Sequence, residues 1–366
     1  MSQERFGLRF LKSVENLFSD APSLRAMSLT EAYPSLRRHL LLDAREVPTP
    51  ETQDMSFSDF YSSHDSPTHR TRRVYTALLD DVRFCPTNNV ITTPDRTIIK
   101  ESAGPGAKPF GVDEAAIDRR DRVEPIEGLC TAFRCSFNNY YHLLVDLLSR
   151  FDLLNLAYFS RYERIKLLCP GGLRPVEEYF VSKLCPPNVT ITPLKEGVLY
   201  RPDRYLFLSF PTRQASAFIP GPYVDRLRER TLHDNVGPRT RRIYISRRQA
   251  AERRVRNEEA LVDRLCSLGF TRYDLEDLSP AQQIRLFQEA ELVVGPHGAG
   301  LANLLFATDA TVLELQPSTT IATHFYLLCK RLGHSYHYLT HSAAEIDDDF
   351  RVDPDTVAST VASLLT

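Results

Sequence analysis

Between Arg242 and Leu339 the chain alternates short β-branched or aromatic runs with segments whose apolar residues recur at helical spacing, and no other feature restricts the fold as much. RIYIS (242–246), Thr271–Leu275, ELVVG (291–295), TVLEL (311–315) and SYHYL (335–339) read as strands. Helices fill the gaps. Leu261, Val262, Leu265 and Leu268 form one stripe, with Asn257 placed to cap it and Gly269 to end it. Ser279, Pro280 and Gln282 stand at the cap, first and third positions of the next helix, which runs to about Ala290. LANLLFA gives a third helix, and Ile321, Phe325, Leu328 and Leu332 stripe a fourth. Parallel strands require crossover connections, so the alternation predicts a parallel sheet covered by helices, a Rossmann-like unit.

The first half repeats the theme less regularly. NVITTPDRTII (89–99) predicts a hairpin around Pro94 and Asp95, residues 138–157 a long helix, and KLLCP, PVEEYFVSKL and NVTITPL a strand, a helix and a strand. GPGAKP (104–109) lacks the spacing of a phosphate loop and reads as an ordinary one. Three prolines around 211–222 mark a boundary, and 366 residues suit two domains. The expected division is an extension over 1–85, partly packed on the first domain; an acceptor-side α/β domain over 86–215; a nucleotide-binding Rossmann-like domain over 216–345; and a final helix over 346–366 that crosses back to the first domain.

Composition narrows the setting. A formal net charge of −2 gives no electrostatic case for nucleic acid, and no apolar run reaches the length of a bilayer span. MSQERFGLRFLKS has no uninterrupted apolar core of a secretory signal, and the seven scattered cysteines read as buried thiols of a reducing compartment, so the expected location is cytoplasmic. RFGLRFLKSVENLF carries Phe6, Phe10, Val14 and Leu17 on one stripe beside Arg5, Arg9 and Lys12; it packs on the first domain or touches the inner face of a membrane.

Four features converge on one chemistry. In ELVVGPHGAGLANLLFA a strand ends, a glycine-bearing turn follows and a helix starts near Ala299, which offers exposed amides to an anion. TVLELQP brings Glu314 near the end of a neighbouring strand, where a carboxylate can accept from ribose hydroxyls. Arg247 and Arg248 emerge at the same sheet edge, and guanidinium groups suit phosphate oxygens. Asn139, His142 and Asp146 form a polar stripe on an otherwise apolar helix, which needs a partner or a cleft.

NNYYHLLVDLLSR (138–150), IYISRR (243–248), ELVVGPHGAGLANLLFA (291–307), VLELQP (312–317) and HFYLLCKRLGHSYHYL (324–339), in this order, resemble family 61 of the inverting glycosyltransferases. That family includes plant xylan and arabinoxylan transferases, animal N-acetylglucosaminyl transferases acting on protein, and bacterial proteins linked to capsular polysaccharide. The resemblance implies a GT-B-like α/β fold, two Rossmann-like domains facing across a cleft. It implies transfer, with inversion, of a sugar from a nucleoside-diphosphate sugar, UDP-linked, to a hydroxyl of a glycan or lipid-linked saccharide in surface polysaccharide biosynthesis. Arg247, Arg248, His297, Gly298, Ala299, Gly300, Leu301 and Glu314 would hold the donor, and Asn139 and Tyr141 the acceptor. Asp146 is favoured as general base, with His142 positioning the acceptor. No metal or other cofactor is expected, since Asp347–Asp349 and the DPD at 353–355 read as a solvated run and a helix cap. The alternative is a catalytically inactive protein of the same fold that binds sugar nucleotide or polysaccharide.

Overall fold

The computed structural model describes residues 26–365 except 37, 43–45, 49–67, 71–72, 105–112, 114–115, 118–121, 137–138, 156, 213–218, 319–321 and 343–346. The amphipathic N-terminal segment and most of the 104–109 loop therefore lie outside the described residues. Two sheets organise the chain. In the first, β1 (Val123–Ala132), β2 (Ile165–Pro170), β3 (Val189–Leu194) and β4 (Leu199–Leu208) run parallel in the order β4-β1-β2-β3, with α1 (Pro175–Leu184) crossing from β2 to β3. Antiparallel strands Val74–Leu79 and Arg83–Cys85 extend it beyond β4, and the expected hairpin joins Val90–Thr92 to Ile98–Ile99.

After α2 (Gly221–Thr231) the second sheet is wholly parallel: β5 (Arg241–Ile245), β6 (Phe270–Tyr273), β7 (Ala290–Pro296), β8 (Thr311–Pro317) and β9 (Ser335–His341) in the order β6-β5-β7-β8-β9. The helices fall between them as the apolar spacing requires: α3 (Glu258–Cys266), α4 (Pro280–Gln288) and α5 (His324–Leu332). Ser279 and Gln282 close the capping box at α4. Asn257 behaves otherwise: its amide exchanges bonds of 2.8 and 3.1 Å with the Val352 backbone and makes no side-chain cap. The long helix is shorter and mixed, an α turn at Tyr140–His142, a π turn at Leu143–Leu147, a 3₁₀ turn at Leu148–Arg150 and an α turn at Phe151–Leu154. The last helix, α6 (Pro354–Leu364), is a correction as well. Val357 and Val361 pack with Leu261 and Leu265 of α3, so its apolar face is satisfied beside the second sheet and not across the molecule.

Both sheets contain a point where the strand order reverses, between β4 and β1 and between β5 and β7. Chains leaving neighbouring strands there turn to opposite faces and leave a crevice at the carboxyl ends, where open α/β sheets bind ligands. One apolar core runs through both halves. Phe180 of α1 stacks on Phe306 with centroids 6.1 Å apart, and the Tyr140 hydroxyl donates to Asn303 Oδ1 at 2.7 Å.

Candidate active site

Arg247 follows β5 and His297-Gly298 follows β7, so adjacent strands deliver both to the second reversal point. The guanidinium of Arg247 lies on the Gly298 backbone: a Cβ at Gly298 would overlap it, with Arg247 Cζ only 2.7 Å away. Arg247 Nη2 donates to Glu252 O at 3.0 Å, and Arg253 lines the same cavity. Nε of both arginines is buried without a hydrogen-bond partner among the described residues. Burial, and next the charge of Arg253, hold the Arg247 guanidinium below its ordinary range. Arg253 Nη2 also pairs with the Glu252 carboxylate at the cavity edge, and the two unpartnered Nε donors are what an anion would complement.

The turn supplies amides selectively. Leu301 N–H is taken by Gly298 O at 3.0 Å and His297 N–H by Leu315 O at 2.9 Å. In the 3₁₀ helix Ala299–Phe306, the amides of Gly298, Ala299 and Gly300 precede the first intrahelical acceptor. Leu301, expected at the donor site, packs in the core and is 1% exposed. Arg248 also departs from expectation. It turns to Asp274, with Nε to Oδ1 at 2.9 Å and Nη2 to Oδ2 at 2.7 Å, and lines a different hollow beside Arg254 and Arg256. The strand has ended by then, and a turn closed by Ala250 N–H to Arg247 O at 2.9 Å separates the two side chains.

Glu314, expected near the donor ribose, has protein partners on both oxygens. It is fully buried, its Oε1 accepting from His297 Nδ1 at 2.5 Å and its Oε2 from the Tyr336 hydroxyl at 2.5 Å and Gln316 Nε2 at 3.3 Å. Both its oxygens are thus engaged within the protein, one of them holding His297.

The facing wall belongs to the first reversal point. His142 Nδ1 lies 2.6 Å from Asp146 Oδ2, and the other carboxylate oxygen accepts from the Thr212 hydroxyl. Asp146 is 1% exposed with both oxygens engaged, whereas His142 lines the cavity. Asn139 lines it too, its Oδ1 accepting from His142 N–H at 3.0 Å as the helix cap. Tyr141 meets His142, His324 and Phe325 edge-on at 5.5, 5.6 and 5.8 Å between centroids, and its buried hydroxyl has no protein partner among the described residues. The cavity between the two walls has a volume of about 450 Å³.

Residues 140–320, which span both walls, match the model of the family described as Glycosyltransferase 61. Over these residues the chain is similar to that family. It is 34% identical over 83 residues to the β-1,2-xylosyltransferase of Arabidopsis thaliana, a match covering 22% of this chain and 16% of that one. To β-1,2-xylosyltransferase RCN11 of Oryza sativa subsp. japonica it is 33% identical over 95 residues, 24% of this chain and 18% of the relative. The chain thus matches well under a quarter of the length of either relative.

Arg253, Thr212 and Tyr336 join this site without a sequence signal of their own. Arg253 is one arginine among many in RRQAAERRVR, and its aim depends on a left-handed backbone, φ +58°. Thr212 sits in what reads as a proline-rich linker. Tyr336 hides in an ordinary strand pattern. Among the described residues no group of three or more His, Cys, Asp or Glu is placed to hold a metal ion.

Proposed function

We propose that this protein is an inverting glycosyltransferase of GT-B-like architecture that moves a sugar from a nucleoside-diphosphate sugar, UDP-linked, to a hydroxyl of a glycan or lipid-linked saccharide in surface polysaccharide biosynthesis. The observation that carries the proposal is the cavity itself, with two guanidiniums on one wall whose Nε donors have no partner among the described residues and a carboxylate-held imidazole on the other. The family match and the sugar-transferring relatives support the same reading.

In this scheme Arg247, Arg253 and the Gly298–Gly300 amides receive the diphosphate. The acceptor hydroxyl loses its proton to His142 Nε2 as its oxygen bonds to the anomeric carbon from the opposite side. The bond from that carbon to the phosphate oxygen breaks, and its electron pair leaves on the diphosphate. Charge appears there while the guanidiniums are already in place, which is where preorganised groups act most strongly. His142 is the base because it faces the cavity; Asp146, buried behind it, fixes the tautomer and supports the imidazolium. This reverses the roles favoured from sequence. Guanidiniums meet the diphosphate charge, so the reaction runs without a metal and persists in chelator. The setting is the cytoplasm, at the inner face of a membrane when the acceptor is lipid-linked. No described helix is long and apolar enough to cross a bilayer.

The test pairs binding with transfer. UDP and other nucleoside diphosphates should raise the melting temperature of the wild type, since a ligand bound to the native state stabilises it. Arg247→Ala should lose most of that shift and lower kcat/KM by about 10²–10³. Absence of any nucleotide-dependent shift in the wild type, or near-normal turnover in Arg247→Ala, would sink the proposal.

A further inference from the structure

The acidic run Asp347–Asp349 reads in sequence as a solvated tail, and the structure gives it another task. After β9 the chain returns and lays residues 347–352 along the loop that carries the cavity arginines. Arg253 N–H donates to Asp347 O at 2.8 Å, Phe350 N–H to Arg254 O at 3.1 Å and Arg256 N–H to Phe350 O at 2.9 Å, with Val255 and Phe350 paired in parallel. Asp349, 3% exposed, is the centre of this ribbon. Its Oδ1 accepts from Arg254 N–H at 2.8 Å, its Oδ2 from Arg254 Nη2 at 2.9 Å, and Arg256 Nε stands 3.8 Å off. Burial alone would raise its carboxyl; the Arg254 bonds and the two positive charges outweigh that and hold it below the usual carboxylate range.

What the ribbon fixes is a strained conformation. Arg253 stands at φ +58°, facing Asp347 at +64° and Asp348 at +52°. Aspartates enter this region fairly readily, but an arginine such as Arg253 is uncommon there and persists where the surroundings over-determine it. Here the strain brings Arg253 beside Arg247 at Gly298. The acidic strand lies beyond the matched residues 140–320.

We infer that Asp349 is a positioning residue of the donor site: by clamping residues 253–256 it sets the spacing of the two guanidiniums that receive a diphosphate. The inference rests on the proposed donor pocket. Asp349 touches neither donor nor acceptor.

The experiment measures UDP affinity and steady-state transfer in full-length Asp349→Asn, Asp349→Glu, Arg254→Ala and the Asp349→Asn/Arg254→Ala pair, all well below their melting temperatures. Asp349→Asn and Arg254→Ala should each weaken UDP by about tenfold, and the pair by little more than either, because coupled groups are non-additive. KM for the donor should rise while kcat at saturation stays within about threefold, as for lost uniform binding. Asp349→Glu should recover part of the affinity. If Asp349→Asn does not fold, Arg254→Ala carries the same comparison, its side chain being 41% exposed. Unchanged UDP affinity in a folded variant that only melts earlier would overturn the inference and leave the donor pocket standing. A wild type that binds no nucleoside diphosphate would remove the pocket, and the inference with it.

Discussion

His142 and His297 are each gripped at Nδ1 by a buried carboxylate whose second oxygen is already occupied. A buried charge without such partners is costly, so Thr212 behind Asp146, and Tyr336 with Gln316 behind Glu314, belong to the site as much as the imidazoles do. Asp146→Asn keeps the shape and removes the charge that supports an imidazolium. The expected result is a kcat lower by at least about a hundredfold with an unchanged UDP-dependent melting shift. A kcat within a few-fold of the wild type would return Asp146 to a purely structural role. His142, Asp146 and Asn139 are legible as a helical stripe, because residues three and four apart share a face. Which of them meets the cavity is not legible, because Thr212 reaches Asp146 across 66 positions of chain.

The turn after β7 shows how a single element divides its glycines between fold and chemistry. Gly298 is extended, φ 176°, so its backbone accepts any residue; what demands glycine is the Arg247 guanidinium lying on it. At Gly300 a Cβ would meet Leu275 Cδ1 at 2.9 Å, inside the apolar core. The two alanine variants should therefore separate. Gly298→Ala displaces a flexible guanidinium and is expected to weaken UDP by about tenfold with little change in melting temperature. Gly300→Ala overpacks the core and should cost about 1–3 kcal/mol of stability. Parallel denaturation and UDP titrations check both; a Gly298→Ala protein with full affinity would detach Arg247 from the nucleotide. The strand, turn and helix start were all readable from ELVVGPHGAG. The partner that makes Gly298 necessary was not, since it arrives from the end of β5.

At the scale of the whole molecule, the core shared by both sheets places His334 in apolar surroundings, 4% exposed, where α5 meets β9. Its Nδ1 accepts from Ala310 N–H at 3.2 Å and its Nε2 donates to Leu304 O at 3.0 Å, a network that suits only the neutral ring. Burial holds this imidazole below its ordinary range, opposed by the Leu304 bond and reinforced by Arg228. As pH falls below about 6.5 the unfolded chain takes up the proton first, so folding stability declines by up to about 1.4 kcal/mol per pH unit until the folded value is reached. His334→Gln should flatten the decline between pH 6.5 and 5 in urea denaturation series; identical slopes would refute it. His337 and His341, also lowered by burial, act in the same direction.

Periodicity alone settled that residues 242–341 build a parallel, helix-covered sheet, since each apolar spacing admits one kind of element and parallel strands force the crossovers. Glycine and arginine identities likewise marked the end of the sheet where an anion belongs. Only the tertiary structure decided that Arg253 and not Arg248 faces the cavity, that Glu314 lies behind His297, and that the acidic tail braces the arginine loop. Local pattern reports the face a side chain takes on its own element. What packs against that face comes from distant chain, and burial there determines whether a charged group meets the ligand or orients a residue that does.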